Sequence, residues 1–139
     1  MEDYLLADAG TGSVRQMWRN HDDAFITIGF GGLPEAQPIR NGAEILAVSE
    51  KDGWLHVYRV SREGRETLVT RGEMDAIEIA GLDEKAGWLY FIASPENATQ
   101  RYLFRAPLDG RSEPVRVTPR EFTGTNSYTI SQDGRYAFH

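Results

Sequence analysis

An apolar, polar, apolar triplet recurs three times along this chain, and the regular interval between its copies constrains the fold most strongly. The copies are Ile26-Thr27-Ile28, Ile77-Glu78-Ile79 and Tyr128-Thr129-Ile130, and each lies 51 residues after the previous one. Alternation of apolar and polar residues is typical of a β-strand. About 50 residues is the length of one four-stranded propeller blade. The spacing therefore predicts a repeated all-β architecture.

The other strands occupy fixed positions within the repeat. Three hairpins are predicted, each with a polar turn in which glycine supplies the positive φ. Their first strands cover residues 5–7, 55–60 and 102–105, and their second strands cover residues 14–18, 67–70 and 115–118. A fourth type of strand follows the triplet, at residues 44–48, 88–92 and 135–138. No window sustains a helical period, so about twelve strands are expected.

With the triplet strand placed innermost, the chain divides into two whole propeller blades between two half-blades. The expected boundaries are a half-blade at 1–20, blades at about 21–72 and 73–120, and a half-blade at about 121–139. The Gly- and Pro-rich segment 29–38 leaves one register open. Either it is an insertion between two strands, or Pro38-Ile39 begins the inner strand itself.

The chain begins and ends within a repeat, so we expect a fragment of a larger β-propeller. A natural module is expected to finish with a capped, polar edge, whereas Tyr136-Ala137-Phe138 ends in mid-strand. The half-blades are expected to leave apolar faces and strand edges open. We therefore expect homo-oligomers formed through the exposed blade edges.

Composition excludes several classes of protein. A chain of 139 residues can bury one core. The net charge of -6, with 15 dispersed Lys and Arg residues, argues against a nucleic-acid partner. The absence of cysteine removes disulfides, thiolate metal sites and cysteine nucleophiles. The longest apolar run, Trp88–Ala93, is too short for a membrane span, and Met1-Glu2-Asp3-Tyr4 does not resemble the start of a signal peptide.

Four segments carry a family resemblance. Ser49-Glu50-Lys51-Asp52-Gly53-Trp54-Leu55-His56-Val57-Tyr58 resembles the Ser-Glu-basic-Asp-Gly-Trp-x-His-x-Tyr segment of the dipeptidyl peptidase IV group, in the prolyl oligopeptidase family. Residues 81–91 resemble the next blade of that group, and residues 101–110 and 115–119 resemble its outer strands. Residues 131–136 resemble its Ser-Pro-Asp-Gly turn, with Gln132 in place of proline. The resemblance covers roughly residues 20 to 139, and the first twenty residues match only by repeat position.

The resemblance implies a longer parent enzyme whose catalytic residues lie outside this chain. Members of the group join an N-terminal eight-bladed propeller to a C-terminal α/β-hydrolase domain, which carries the catalytic Ser, Asp and His. They remove N-terminal dipeptides with Pro or Ala second. This chain is then a non-catalytic propeller segment, the hydrolase domain is its partner, and a periplasmic or secreted parent is compatible with the family. No catalytic, cofactor-binding or metal residue is assigned, no cofactor is expected, and the substrate-binding residues are unknown.

The residues of the chain also favour a non-catalytic role. A serine hydrolase of this type needs a Gly-x-Ser-x-Gly elbow, and no such pentapeptide occurs. Gly10-Thr11-Gly12-Ser13 lacks the closing glycine and is interpreted as a hairpin turn. Family members hold the free amine of the substrate with an adjacent Glu pair, which this chain lacks, and Leu33-Pro34 stands near the family's Phe-Arg pair. No substrate contact is therefore carried over.

The remaining candidate residues each have a structural interpretation. The histidines are isolated in sequence, which favours surface or packing roles over metal binding or catalysis: His21, His56 and His139. Three acid pairs lie in predicted turns, which favours solvated charge over calcium binding: Glu2-Asp3, Asp22-Asp23 and Asp83-Glu84. An aromatic binding platform is the alternative role for Trp18, Trp54 and Trp88, but Trp54 and Trp88 recur at strand starts, which favours packing between blades.

Two loop motifs also have structural interpretations. Residues 29–32 lack the helix and the Gly-Lys-Ser/Thr of a phosphate loop, so they are interpreted as a flexible connection or as lining of the parent's substrate channel. Asn97-Ala98-Thr99 fits the glycosylation sequon and is interpreted as a turn.

Two functions remain in contention at this point. The first is a segment of a peptidase propeller that shapes access to a catalytic site carried elsewhere. The second is a stand-alone β-rich module that recognises a peptide or a glycan through its loop ends.

Overall fold

A computed structural model describes residues 1–23, 33, 35–131 and 133–139 of the chain. The described residues form twelve β-strands and one 3-10 turn, Arg40–Gly42. The strands are β1 Glu2–Ala7, β2 Val14–Asn20, β3 Ala36–Ile39, β4 Glu44–Ser49, β5 His56–Ser61, β6 Glu66–Leu68, β7 Ala76–Asp83, β8 Trp88–Ala93, β9 Tyr102–Pro107, β10 Val115–Arg116, β11 Thr129–Ile130 and β12 Ala137–Phe138. Within the described ranges, no helix is long and apolar enough to cross a bilayer.

The strands pair as two four-stranded sheets and two hairpins. The larger sheets have the orders β3-β4-β5-β6 and β7-β8-β9-β10, and the smaller ones are β1-β2 and β11-β12. All pairings within these sheets are antiparallel, and neighbours in each sheet are consecutive in sequence. This up-and-down order is the topology of a propeller blade. The predicted fold class is confirmed.

The inner strand of the first large sheet is β3. It pairs with β4 from Ala36↔Ala47 to Ile39↔Glu44. Pro38 and Ile39 thus lie in the inner strand, but they are its last two residues, whereas the sequence suggested that they begin it. Proline has no backbone N–H to donate, and it is tolerated here because β3 is an edge strand.

The 51-residue spacing does not measure the distance between the two large sheets. The first triplet lies outside the described residues, whereas Ile77-Glu78-Ile79 lies in β7, the inner strand of the second sheet. The corresponding second strands, β4 and β8, begin at Glu44 and Trp88, which is a shorter interval. Apolar alternation marks a strand, but it does not say which place the strand takes in its sheet.

The central strands of both large sheets are buried on two faces. In β8, Leu89 and Phe91 belong to one hydrophobic cluster, whereas Tyr90 and Ile92 belong to another. The same alternation occurs in β4. Burial on both faces explains why these strands read as uninterrupted apolar runs in the sequence.

Hydrophobic clusters join each sheet to its neighbour. The central cluster contains residues of both large sheets, among them Val57 and Phe91, which are fully buried. A second cluster packs Trp18 of β2 against the first large sheet, and a third packs Ile130 of β11 against the second. Burying one large apolar side chain contributes about 1.5–3 kcal/mol. Each sheet therefore gains much of its stability from the sheets beside it.

Two glycines allow sheets to approach each other closely. Gly64 and Gly110 lie in equivalent turns and have positive φ angles of 79° and 63°. A Cβ atom built on Gly64 would lie 2.5 Å from the carbonyl oxygen of Met17, and one built on Gly110 would lie 2.3 Å from that of Leu68. Each turn therefore packs directly on the backbone of the preceding sheet, where a side chain has no space.

A buried threonine extends the ladder beyond each short outer strand. The hydroxyl oxygen of Thr70 accepts a hydrogen bond from the backbone N–H of Val57 at 2.9 Å. Thr118 does the same for the N–H of Leu103 at 2.8 Å. Because β6 and β10 end before these positions, the hydroxyl groups satisfy buried N–H groups that the strands themselves do not reach.

Candidate functional site

A groove of about 410 Å³ opens where three connections meet at one end of the sheets. Its walls are Trp54 in the turn before β5, residues 73–75 and Ile77 around the start of β7, and residues 94–98 after β8. We call this set of residues the loop-end groove. It brings together side chains from both large sheets.

The loop-end groove combines apolar and acidic surfaces. Trp54 is 39% exposed, the half-buried Ile77 adds aliphatic surface, and Met74 in the lining is largely buried in the core. The acidic side chains are Glu73, Asp75 and Glu96, and no Lys or Arg is found among the described residues that line the groove. The arrangement therefore suits a ligand that carries positive charge next to apolar surface.

Hydrogen bonds fix two walls of the groove to each other. The backbone N–H of Leu55 donates to Oδ1 of Asp75 at 2.7 Å. The N–H of Ala76 donates to the carbonyl oxygen of Leu55, also at 2.7 Å. The turn that carries Trp54 is thus held against the segment that carries the two acids before β7.

The third wall is held by a local turn. Oδ1 of Asn97 accepts hydrogen bonds from the backbone N–H of Thr99 at 3.0 Å and from its hydroxyl group at 2.8 Å. Such an Asx turn restrains the connection between β8 and β9. Hydrogen bonds thus restrain all three walls of the groove.

Behind the groove, a buried histidine ties three segments together. Nδ1 of His56 lies 2.8 Å from Oδ2 of Asp52, and its Nε2 lies 2.9 Å from the carbonyl oxygen of Gly72. A carbonyl oxygen only accepts, so Nε2 carries a proton and donates it. The imidazole is 3% exposed. With both ring nitrogens occupied, His56 supports the loops and is not available as a general base.

Asp52 and Tyr58 complete this support. The Tyr58 hydroxyl group donates to Oδ2 of Asp52 at 2.9 Å. Burial acts to raise the pKa of Asp52, but the hydrogen bonds from His56 and Tyr58 outweigh it and lower the pKa below its usual range. Burial, followed by the bond to this carboxylate, raises the pKa of Tyr58. Asp52 is therefore ionised and Tyr58 neutral near pH 7, as two structural groups.

Polar residues of the same segment also anchor β2. Nε1 of Trp18 donates to Oε1 of Glu66 at 2.5 Å, and Lys51 pairs with the other oxygen of that carboxylate. The Lys51 ammonium lies 4.3 Å from the centre of the Tyr58 ring. Burial acts to raise the pKa of Glu66, but the bonds from Lys51 and Trp18 lower it. The segment from Ser49 to Tyr58 thus joins neighbouring sheets.

The comparisons with known proteins decide the family. Residues 3–139 match the family described as the dipeptidyl peptidase IV (DPP IV) N-terminal region. The chain belongs to this family. Its resemblance to the dipeptidyl peptidase IV group, noted from the sequence, is confirmed.

Individual relatives agree with this assignment. Dipeptidyl peptidase 4 of Trichophyton rubrum is 28% identical over 98 residues, which cover 69% of this chain and 13% of the relative. Dipeptidyl peptidase 4 of Trichophyton equinum is 30% identical with the same coverage. A probable dipeptidyl-aminopeptidase B of Coccidioides posadasii is 30% identical over 89 residues, 62% of this chain and 10% of the relative. The chain therefore spans only about an eighth of the length of these relatives, or less.

A solved structure supports the fold. The crystal structure of Porphyromonas gingivalis dipeptidyl peptidase 4 is similar to 97% of this chain and 18% of its own, with a TM-score of 0.75 and 17% sequence identity. The sheets of this DPP IV N-terminal region are thus blades of a β-propeller.

The three histidines of this DPP IV N-terminal region lie apart in the structure. His56 is buried behind the groove. Nε2 of His21 lies 3.0 Å from Oδ1 of Asp23 at an exposed site. Nε2 of His139 lies 2.9 Å from Oδ1 of Asn126, and its ring stacks on Tyr128. In the part of the chain that the structure describes, no group of three or more His, Cys, Asp or Glu side chains is placed to hold a metal ion.

The predicted acid pairs also lie apart from one another. Asp3 accepts a hydrogen bond from Nε of Arg19 at 2.7 Å across the first hairpin. Glu84 accepts one from the backbone N–H of Arg40 at 2.6 Å, which links the turns of the two large sheets. Asp23 contacts His21. The Asp3 and Glu84 carboxylates thus connect neighbouring parts of the fold.

The three tryptophans have different environments. Trp18 is buried, and Trp88 lies under the guanidinium group of Arg105, 4.6 Å from the ring centre. Trp54 lines the loop-end groove.

The predicted loop at residues 29–32 lies outside the described residues, as does Pro34. Residues 10–13 form the turn between β1 and β2.

No sequence motif marks the acids of the groove. Glu73, Asp75 and Glu96 come from two different connections and are joined by no local motif. The sequence offers only a weak signal for this site: Glu73 and Asp75 flank Met74 directly before the predicted inner strand.

Proposed function

We propose that this chain is a non-catalytic part of the N-terminal β-propeller of a serine-type dipeptidyl peptidase. The observation that carries the proposal is the match of residues 3–139 to the DPP IV N-terminal region. In this proposal the parent removes N-terminal dipeptides with Pro or Ala in second position. The chemistry takes place in a C-terminal α/β-hydrolase domain, and the propeller shapes access to it.

The surroundings of His56 support a structural role for this region. A serine hydrolase needs a histidine with one nitrogen facing a carboxylate and the other facing the serine hydroxyl group. His56 has the carboxylate partner, Asp52, but its second nitrogen faces the carbonyl oxygen of Gly72. This carboxylate–histidine pair therefore has no nucleophile to activate.

A comparison of the chain with its parent tests the proposal. The full-length protein is expected to release the chromophore from Xaa-Pro and Xaa-Ala substrates, and the purified 139-residue chain is expected not to do so. A serine-directed inhibitor should abolish the parent's activity. Inhibitor-sensitive turnover by the chain alone, or a full-length protein inactive on both substrates, would contradict the proposal.

We also propose that the isolated chain self-associates through its two-stranded sheets. Apolar residues in these sheets are strongly exposed, with Leu5 at 63%, Val14 at 59% and Phe138 at 67%, and Tyr136 directly before β12 is 60% exposed. Two copies can cover these surfaces by packing sheet on sheet, or by pairing strand edges. Light scattering is expected to show dimers or larger species, and Phe138→Glu is expected to reduce them. A monomer at high concentration would contradict this proposal.

A further inference from the structure

We infer that the loop-end groove binds a basic peptide segment supplied by another molecule. An Arg or Lys side chain of the peptide stacks on Trp54 and faces the carboxylates of Glu73 and Asp75. A neighbouring apolar side chain of the peptide packs on Ile77. The inference stands on the groove itself and does not require that the parent be a peptidase.

Trp54 provides an aromatic surface without a cation of its own. Elsewhere in the fold, Arg105 lies over Trp88 at 4.6 Å and Arg116 lies over Tyr102 at 3.6 Å. Among the described residues, no Lys or Arg is placed over Trp54 in this way. A cation stacked on an indole is stabilised by about 0.5–2 kcal/mol. An incoming basic side chain can make the contact that the chain makes internally at its other sites.

The acids of the groove are largely without compensating charge. Glu73 is exposed and makes no hydrogen bond or ion pair with any described residue. The nearest basic partner of Glu96 is Nη1 of Arg116, 4.0 Å away, and the Glu96 side chain is 70% exposed. Like charges that share one groove repel each other, and a bound cation relieves that repulsion. Arg fits best, because its planar group both stacks on aromatic rings and pairs with carboxylates.

The charge of the groove favours a peptide over a glycan. A neutral sugar can stack on Trp54, but it brings no positive charge to the carboxylates of Glu73 and Asp75. The aliphatic surface of Ile77 matches an apolar peptide side chain next to the basic one. The hydrogen bonds from Leu55 to Asp75 and from Ala76 to Leu55 hold this surface in place, so little ordering is required on binding.

Tryptophan fluorescence and calorimetry test the inference directly. The probes are acetylated and amidated Ala-Leu-Arg-Ala and its Ala-Leu-Glu-Ala counterpart. The Arg peptide is expected to bind and to change the fluorescence of Trp54, and the Glu peptide is expected not to bind. Binding should weaken as ionic strength rises from about 50 to about 500 mM, because the carboxylates are exposed to solvent.

Three variants separate binding from folding. Trp54→Ala and Glu73→Gln are each expected to weaken binding of the Arg peptide about tenfold, the equivalent of about 1.4 kcal/mol. Glu121→Gln removes an exposed acid outside the groove and should leave affinity unchanged. Near-UV circular dichroism shows whether each variant keeps its fold, and Glu73→Gln is decisive because the Glu73 side chain is exposed and makes no hydrogen bond or ion pair with any described residue.

Several outcomes would overturn the inference. These are equal affinity for the Arg and Glu peptides, no binding of either peptide at millimolar concentration, and unchanged affinity in Glu73→Gln. Binding of a neutral oligosaccharide such as maltohexaose, lost in Trp54→Ala, would assign the groove to a glycan instead. None of these outcomes bears on the dipeptidyl peptidase assay, so the groove proposal and the peptidase proposal succeed or fail separately.

Discussion

Replacing Gly110 with alanine is expected to weaken the contact between the two large sheets. The new Cβ would lie 2.3 Å from the carbonyl oxygen of Leu68 and 3.1 Å from Cγ2 of Thr67. Leu68 pairs with Tyr58 across β6 and β5. The carbonyl group therefore cannot withdraw without disturbing the ladder of its own sheet.

Two costs add at this position. An alanine at a φ of 63° is strained by about 1–2 kcal/mol. Forcing an extra carbon against packed backbone costs about 1–3 kcal/mol more. We therefore expect Gly110→Ala to lower the free energy of unfolding by about 2–5 kcal/mol, a large share of the roughly 5–15 kcal/mol typical of a domain.

Gly12 provides a matched control for the backbone strain. Its φ is 73°, and an added Cβ would meet nothing within 4 Å. Gly12→Ala is thus expected to lower the free energy of unfolding only by the backbone strain of alanine at a positive φ. Gly64→Ala should behave like Gly110→Ala, because its Cβ would lie 2.5 Å from the carbonyl oxygen of Met17. Urea unfolding of the three variants measures the difference. If Gly110→Ala costs no more than Gly12→Ala, the proposed close contact between sheets is refuted.

Three further predictions concern the interior and the support of the groove. Thr118→Val leaves the buried N–H of Leu103 without its acceptor and should cost about 1–3 kcal/mol in urea unfolding, whereas Thr118→Ser keeps the hydroxyl group and most of the stability. Phe91→Ala should lower the free energy of unfolding by about 3–5 kcal/mol in urea denaturation, because the side chain is fully buried. Val115→Ala, at a 53% exposed position, should change it by no more than about 0.5 kcal/mol. Because the pKa of Asp52 is lowered by folding, its carboxylate stabilises the fold above about pH 4 and this stabilisation is lost as pH falls through the lowered pKa. The stability difference between the wild type and Asp52→Asn should therefore shrink between about pH 6 and about pH 3 in thermal unfolding, and a constant difference would contradict this role.

Most strands were predictable because their signals are local. The hairpin with β5 and β6 and the one with β9 and β10 appear in the sequence as two apolar runs around a glycine-containing turn. Strands β4 and β8 appear as apolar runs because both of their faces are buried. The sequence leaves the register of the first large sheet open. In the structure, β3 at Ala36–Ile39 takes the inner place of that sheet.

The supporting side chains of the candidate site could be recognised only in part. The segment from Ser49 to Tyr58 is distinctive enough to indicate the family. Its sequence does not reveal that His56 bonds to the carbonyl oxygen of Gly72, which lies 16 residues later. That contact depends on how the connection between the two large sheets folds back on β5.

The sequence by itself determined the all-β class, the order of most strands and the family, because turn glycines, apolar periods and short motifs act between neighbouring residues. Tertiary structure alone decided which strand is innermost in the first large sheet and which side chains share a groove. Trp54, Glu73 and Glu96 belong to three separate connections, and they meet only because two sheets stack face to face. The same stacking places Gly110 on the backbone of Leu68. These contacts between sheets are made by residues distant in sequence, and packing of the whole chain selects them.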